Sequence, residues 1–521
     1  MKRAWKNKDG KINLKFSSEH KKEFMVILDF VKSLPNRTFD TKLKIWTVPN
    51  NQTVIKKIKE AGFVCEGLEE SVSNKWQAFK IDLSKLDGFR DYQKEGVRFL
   101  CANNGHALLA DDMGIGKTIQ ALGYLIQNPD IKKVLIICPA SVKENWRKEL
   151  KKWTGRSSVV LSGRSDHIRG DIVVINYDIL SDYTDSILDY GFQQIIADES
   201  HNIKEPRRIK TKAFCKIAKK VGHVIALTGT PIENRPIEIF TTLEILDPKM
   251  WSNRFNFGVR YCNGKNNGFG WVFNGASNMD ELHIYISSYM LRRKKSEVLK
   301  DLPEKTRSII SIKLSDTDFK KYKELEYTFM SDSVMCMDFL GVYNELTLAL
   351  FDIKKEIIFS WLDDFLESGK KIVIFAVHKV VISAFMEKYA EKIVKIDGSV
   401  DSKNRQSIVD YFQNNEKAQI FIGNIKAAGE GLTLTAADTV LFIELPLTPG
   451  RLFQAEDRCH RIGQKNAVTV YYPLVENSIE EFLFNTLTTK ESIVNNVIDG
   501  LNDDSSSVLK NLFNQYKNIK G

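Results

Sequence analysis

Between about residues 86 and 249, short apolar runs at 107–110, 134–138, 172–175, 195–197 and 224–227 alternate with segments of helical periodicity. Runs of three to five apolar residues, too short for helices and apolar on every position, predict strands buried on both faces. Strands of that kind separated by helices predict a parallel sheet covered on both sides. A second series, at 372–375, 393–396, 418–422, 440–443 and 468–472, predicts a second α/β unit of similar size. Residues 250–368 between them read as a helical insertion, with an aromatic-rich start and an Asn-Gly-rich loop at 263–270. The first 80 residues follow another rhythm. Residues 12–16 alternate as a half-buried strand does, Phe24, Ile27, Leu28 and Val31 mark a helix, a strand lies at 44–46, and 54–61 form a second helix closed by Gly62. Residues 491–521 read as a helical tail with a polar break at 503–507.

The chain has 521 residues, and at roughly 150 residues per domain this length suggests three or four folding units. Charged residues make up 27% and aromatics 10%, which excludes a disordered or low-complexity chain. No apolar run approaches the roughly 18–20 residues of a membrane span. The basic N-terminus is followed by no apolar stretch, so a signal peptide is not expected. Cys65, Cys101, Cys138, Cys215, Cys262, Cys336 and Cys459 never form a C-x-x-C pair, which argues against zinc and disulfides and points to a reducing intracellular compartment, the cytoplasm if the source is bacterial or phage. Residues 1–80 hold 17 Lys/Arg against 9 Asp/Glu, a net +8 of the chain's +10. A basic module on a nearly neutral body fits a polyanion such as nucleic acid, and equally a solvated lysine-rich face.

The strongest chemical signal is Gly114-Ile115-Gly116-Lys117-Thr118, which follows the strand at 107–110 and opens a helix. Glycines at 114 and 116 let backbone N–H groups converge on phosphate oxygens, Lys117 supplies positive charge, and the Thr118 hydroxyl suits Mg²⁺. The general pattern places glycine at 111, where this chain has Asp111. Asp198 and Glu199 follow the strand at 195–197, where one carboxylate can hold magnesium and its neighbour can polarise a water; two acids capping a helix is the plainer alternative. Thr228-Gly229-Thr230-Pro231 closes a third strand and suits a relay between two ligands. In the second α/β unit, Arg458 and Arg461 stand three apart and share a face if helical. They can form an anion clamp delivered from a separate domain, or ion pairs with Glu456 and Asp457 on a surface helix.

Together these blocks resemble the Swi/Snf-type ATPases of helicase superfamily two. Phe89 to Gln93 and Gly96 to Leu100 resemble that family's glutamine motif, which implies that Gln93 reads the adenine edge. Leu109 to Gly114 match its version of the phosphate loop, so Asp111 belongs there. Cys138 to Ser141 with Asn145-Trp146, Asn176-Tyr177, Leu227 to Pro231, Met290 to Lys295 and Leu302 to Lys305 continue the match. In the second unit come Val373 to His378, Ile396 to Gly398 with Arg405-Gln406, Ala427 to Leu432 and Gln454 to Gln464, so that the resemblance covers about 85–490. It implies nucleotide contacts from Asp112, Met113, Ile115 and Gly431, and DNA contacts from Ser141, Asn176 and Thr433. Lys32 to Arg37, Phe39-Asp40, Lys44 to Trp46 and Pro49 resemble the HARP module of annealing helicases, which implies recognition of forked DNA, with Arg37 and Trp46 as candidates. Trp46 can equally be a packing residue. Related motors carry Trp where this chain has Leu447, and no histone-reading, zinc or nuclease segment is recognisable, which disfavours a chromatin remodeller.

The expectation is therefore an α/β protein: a HARP-like α+β module (1–80), a first RecA-like lobe (85–249), a helical insertion (250–368), a second RecA-like lobe (369–490) and a tail (491–521). ATP and Mg²⁺ would sit between the lobes, served by Gln93, Gly116, Lys117, Thr118, Asp198 and Glu199 from the first and Arg458 and Arg461 from the second. The expected partner is duplex or branched DNA, bound by a monomer with no membrane association. The expected output is translocation that remodels or anneals forks. A strand-separating helicase, a motor that displaces proteins and a DNA-binding scaffold with a dead ATPase are the alternatives.

Overall fold

A computed structural model describes residues 2–7, 11–18, 20–41, 43–50, 52–66, 76–163, 166–232, 235–268, 270–330, 339–428 and 431–488; the expected tail at 491–521 lies outside the described residues. Two parallel sheets form the body, one in each of two α/β lobes. The first has the order Met290–Leu291, Ala107–Leu109, Val224–Leu227, Gln194–Asp198, Val134–Cys138, Ile172–Asn176, Val159–Val160. Its central strands are the all-apolar runs: every residue of Val134–Cys138 is fully buried, between helices such as Asp91–Ala102, Lys117–Gln127 and Lys143–Thr154 on one face and Ile209–Val221 on the other. Because all neighbouring strands run parallel, their C-terminal ends emerge along one edge, and the loops that follow 109, 198 and 227 meet there.

The second sheet has the order Lys305–Ile312, Val468–Val475, Thr439–Phe442, Ile372–Ala376, Ile420–Asn424, Ile393–Ile396, again all parallel. The 29-residue helix Phe339–Glu367 packs along it. Lys354 in that helix is buried, and its ammonium donates to both Glu480 carboxylate oxygens (2.7 and 2.8 Å) and to the Ile443 and Pro473 carbonyls (3.1 Å each). Four acceptors offset the cost of burying that charge.

The segment 250–368 departs from a helical insertion. Helices Arg254–Tyr261 and Met279–Ile286, with a small hairpin of Lys265–Asn266 and Trp271–Val272, build a helical layer on the first lobe, packed on Phe240 and Trp251. Met290–Leu291 then adds an edge strand to the first sheet, and Lys305–Ile312 pairs over eight residues with Val468–Val475 in the second. A strap of some dozen residues thus crosses from lobe to lobe. Edge strands tolerate polar side chains on one face, which hides them in a hydrophobicity pattern.

The N-terminal module is a five-stranded sheet in the order Thr38–Asp40, Ile45–Val48, Ile12–Phe16, Lys2–Lys6, Val64–Glu66, with helices Lys21–Ser33 and Gln52–Glu60 burying Ile27, Val31 and Ile58 against it. It touches the first lobe where the Asn36 side-chain amide donates to the Tyr285 hydroxyl.

Candidate nucleotide-binding cleft between the lobes

The loop after Ala107–Leu109 turns through Gly114 (φ +82°) and Gly116 (φ +94°), left-handed conformations that strain any residue with a Cβ. Gly116 caps the helix Lys117–Gln127, whose first backbone N–H groups lack helical partners and so suit an anion. The Lys117 ammonium curls over its own loop, donating to the carbonyls of Asp111 (2.7 Å) and Asp112 (3.2 Å). Burial lowers its pKa, against the pull of Glu199, Asp111, Asp198 and Asp112. Asp111 is fully buried, and it is answered by Arg293, whose Nη2 donates to Oδ2 at 2.6 Å, and by the Gln120 amide at 3.2 Å. Gly229 fits against this loop because a Cβ there would sit 2.5 Å from Met113 Cγ.

Asp198 ends its strand beside Lys117. The Trp146 indole N–H donates to its Oδ2 at 2.8 Å, and the Glu199 backbone N–H to Oδ1 at 3.0 Å. Burial, followed by the negative charge of Glu199, raises the Asp198 carboxyl above the ordinary carboxylate range. Burial would raise Glu199 too, yet the His201 ring 3.3 Å away, with Lys117 and Arg458, holds it below. Glu199 itself adopts φ +49°, an uncommon conformation for a residue with a side chain. His201 Nδ1 also lies 3.2 Å from the Thr228 hydroxyl, which accepts from the Thr230 N–H at 3.1 Å. The third strand end is thereby joined to the acidic pair.

The opposite wall comes from the second lobe. A cavity of about 240 Å³ is lined by Gly114, Gly116, Lys117, Thr118, Asp198 and Glu199 on one side and by Gly431, Thr433, Arg458 and Arg461 on the other. Arg458 is buried, with Nε donating to the Gln454 carbonyl (2.9 Å) and Nη1 to that of Leu432 (3.3 Å). Arg461 lies across the phosphate loop, its Cγ 3.3 Å from where a Gly114 Cβ would stand. The two arginines are not on one helix, since Pro449–Glu456 ends before them. They follow in a turn held by bonds such as Arg461 Nε to the Asp457 carbonyl at 3.2 Å. Nor do Glu456 and Asp457 spend their charge on these arginines. Lys305 pairs with both (2.7 and 3.0 Å), Arg307 with Glu456 (2.8 Å) and Lys295 with Asp457 (2.6 Å).

Several other candidates spend their polar groups within the chain, and the rest lie at or near the surface. Gln93 is buried against the loop, accepting from the Arg90 N–H (3.0 Å) and donating to the Ile115 carbonyl (3.1 Å), so its amide braces the glycine turn. The Asp112 carboxylate points to the strap, accepting from the Lys295 N–H at 3.0 Å and lying 3.4 Å from Arg292. Asn176 is buried, its side-chain oxygen accepting from Lys143 Nζ at 3.1 Å, and Thr433 lies in the cleft under Arg461 (3.4 Å). Ser141 is half-buried in the turn Ala140–Val142. Arg37 is exposed, while Trp46 is half-buried with its ring 4.8 Å from that of Phe39. No role at the nucleotide site was read from the sequence for Trp146, His201, Lys295 or Asp457; Trp146 and Lys295 stand there only inside motifs, and Asp457 only as a possible surface partner of the arginines. A buried indole N–H needs an acceptor, which is the one signal that could have drawn attention to Trp146.

The residues present suit a magnesium nucleotide: a glycine loop and lysine for phosphates, and Thr118 with Asp198 facing one space. Among the described residues no cluster of three or more His, Cys, Asp or Glu could hold a metal unaided. Mg²⁺ keeps waters and substrate oxygens beside one or two protein ligands, and Thr118 and Asp198 are two oxygen donors that line the same cleft.

An SNF2-related domain matches residues 92–360, and a helicase conserved C-terminal domain matches residues 355–463. The chain belongs to the SNF2-related family. It is 32% identical over 508 residues to the SWI/SNF-related matrix-associated actin-dependent regulator of chromatin subfamily A-like protein 1 of Xenopus tropicalis, covering 90% of this chain and 53% of that protein. It is likewise 32% identical over 436 residues to the DNA annealing helicase and endonuclease ZRANB3 of Homo sapiens, covering 78% of this chain and 40% of the other. A solved Sulfolobus solfataricus SWI2/SNF2 ATPase core in complex with dsDNA aligns with TM-score 0.39 and 27% identity, over 79% of this chain and 93% of that one. The chain thus spans about half the length of the curated relatives it matches. Among the described residues no helix is long and apolar enough to cross a membrane.

Proposed function

We propose that this chain is a DNA-dependent ATPase that moves along duplex DNA and remodels or anneals forked DNA. The carrying observation is the shared cleft, in which two guanidinium groups from the second lobe face the phosphate loop and acidic pair of the first. In this reading Lys117 and the loop N–H groups hold the β- and γ-phosphates, and Thr118 and Asp198 hold Mg²⁺, which when bound neutralises charge on the phosphate oxygens. Glu199, kept ionised beside His201, accepts a hydrogen bond from the attacking water and so orients and polarises it. Arg458 and Arg461 stabilise charge on the transferring phosphoryl group. Gly431 shapes the far wall, while Gln93, Met113 and Ile115 keep the loop in its binding conformation. Because the site is complete only with the lobes together, hydrolysis and product release can drive opening and closing, and alternate gripping of DNA phosphates by the lobes gives net movement.

The fork-directed output is supported by the basic N-terminal module and by the relative named as a DNA annealing helicase. Arg37, exposed beside the Phe39–Trp46 pair, is its proposed DNA contact. The test is ATPase turnover with duplex, single-stranded and forked DNA, for the intact chain, Lys117→Ala and Arg37→Glu. Lys117→Ala is expected to lose stimulated hydrolysis yet keep DNA binding, and Arg37→Glu to lose the preference for forks while duplex stimulation survives. Hydrolysis retained by Lys117→Ala, or no stimulation by any DNA, contradicts the reading.

A further inference from the structure

The strap that leaves the first lobe is fastened to the phosphate loop before it crosses. Arg292 donates to the Ala110 carbonyl at 3.0 Å, Arg293 grips Asp111, and the Lys295 backbone N–H donates to the Asp112 carboxylate at 3.0 Å. The Lys295 side chain then reaches into the second lobe. Its ammonium lies 2.6 Å from Asp457 Oδ2 and donates to the His460 carbonyl at 2.9 Å. Those two residues bracket Arg458 and precede Arg461, whose Nε is held by the carbonyl of the same Asp457. One buried side chain thereby ties the loop that bears Gly114 to the turn that bears both arginines. Lys295 lines a separate inter-lobe cavity of about 490 Å³, together with Asp112 and Asp457, and not the cleft of Lys117 and Arg458.

We propose that Lys295 is a positioning residue: its bond to the 457–460 turn latches the lobes so that Arg458 and Arg461 arrive over the phosphate loop. The proposal rests on the reading of those arginines given above. A buried ion pair is a suitable latch, since the desolvation of both charges cancels much of their attraction and leaves a contact that can break in every cycle. Lys305 occupies the other Asp457 oxygen at 3.0 Å. The carboxylate therefore stays anchored when Lys295 lets go, and what is lost is the link to the phosphate loop.

The test uses the full chain with saturating duplex DNA. Lys295→Met keeps the aliphatic stem and removes the charge. Its kcat for ATP is expected to fall about 100-fold, the scale of a misplaced catalytic group, with KM and the binding of a fluorescent ATP analogue close to those of the unsubstituted chain. Asp457→Asn, which also loosens the Lys305 pairing, is expected to fall at least as far, and the double variant to be no slower than Asp457→Asn, since the link that Lys295→Met removes is then already broken. Equal loss of nucleotide binding and kcat, additive losses in the double variant, or unchanged turnover in Lys295→Met each overturn the latch. Should Lys295→Met not fold, as read by thermal unfolding, the same split is read in Asp457→Asn alone. Arg461→Ala is measured alongside. If it turns over normally, the reading of the arginines is wrong and the latch goes with it; if it is inactive while Lys295→Met is normal, the latch alone is wrong.

Discussion

Gly431, on the second lobe, adopts φ +74° and faces Val142 of the first. A Cβ built there overlaps Val142 Cγ1, short of the 3.4 Å of ordinary contact by more than about 1 Å, while Val142 Cβ itself would lie at 3.4 Å. In Gly431→Ala the added methyl therefore holds the lobes apart by roughly an ångström, a displacement worth on the order of 100-fold in rate when it separates catalytic groups. The left-handed backbone adds a separate strain of ~1–2 kcal/mol, carried by the second lobe whether open or closed. The two effects can be told apart. Val142→Ala removes the colliding methyl and leaves the 3.4 Å contact, so Val142→Ala combined with Gly431→Ala is expected to regain most of the lost turnover but none of the strain, which remains as a lowered melting temperature. The assay is DNA-stimulated ATP hydrolysis beside thermal unfolding for the four proteins of this cycle. Normal turnover in Gly431→Ala would refute a closed cleft as the working state, and failure of Val142→Ala to restore a lost turnover would make Gly431 a direct nucleotide contact instead.

Trp146→Phe removes the indole N–H that donates to Asp198. The Mg²⁺ concentration for half-maximal ATPase is expected to rise about 10- to 100-fold, as for other groups that orient a metal ligand, and an unchanged Mg²⁺ titration contradicts the assignment of Asp198 as that ligand. Because burial and Glu199 raise the Asp198 carboxyl, it takes up its proton on acidification earlier than an exposed aspartate does near pH ~3.9. As neutral Asp198 cannot hold the metal and its carboxyl is pushed up to about 6, kcat/KM for MgATP is expected to fall already below about pH 6, and a profile as flat on acidification as an exposed aspartate would give contradicts this.

The buried centre of each sheet was legible because its strands are apolar at every position: Val134–Cys138 and Ile372–Ala376 have no polar face to confuse with a helix. Lys305–Ile312 was not legible, since it opens with four polar residues, Lys-Thr-Arg-Ser, and the charges at 305 and 307 look like surface until Glu456, some 150 residues on, is placed beneath them. Lys2–Lys6 was hidden for a related reason, as four of its five residues are Lys, Arg or Trp, with Ala4 the small apolar residue that enters the core. The phosphate loop, acidic pair and arginines were readable because each is a local string with a chemical requirement. What the strings do not carry is direction. Asn176 turns inward because Lys143 needs an acceptor, Asp112 turns to the strap because Arg292 and Lys295 stand there, and Gln93 spends its amide on the loop. Those outcomes depend on partners far along the chain, which no window of sequence contains.

The central claim, that turnover needs groups from both lobes at one phosphate, is tested most directly by single-turnover ATP hydrolysis in Arg458→Ala and Arg461→Ala with saturating duplex DNA, read beside nucleotide binding. The account predicts hydrolysis slower by about 1,000-fold or more in each, with the nucleotide still bound by Lys117 and its loop. Hydrolysis within a few-fold of the unsubstituted chain in both variants would contradict it.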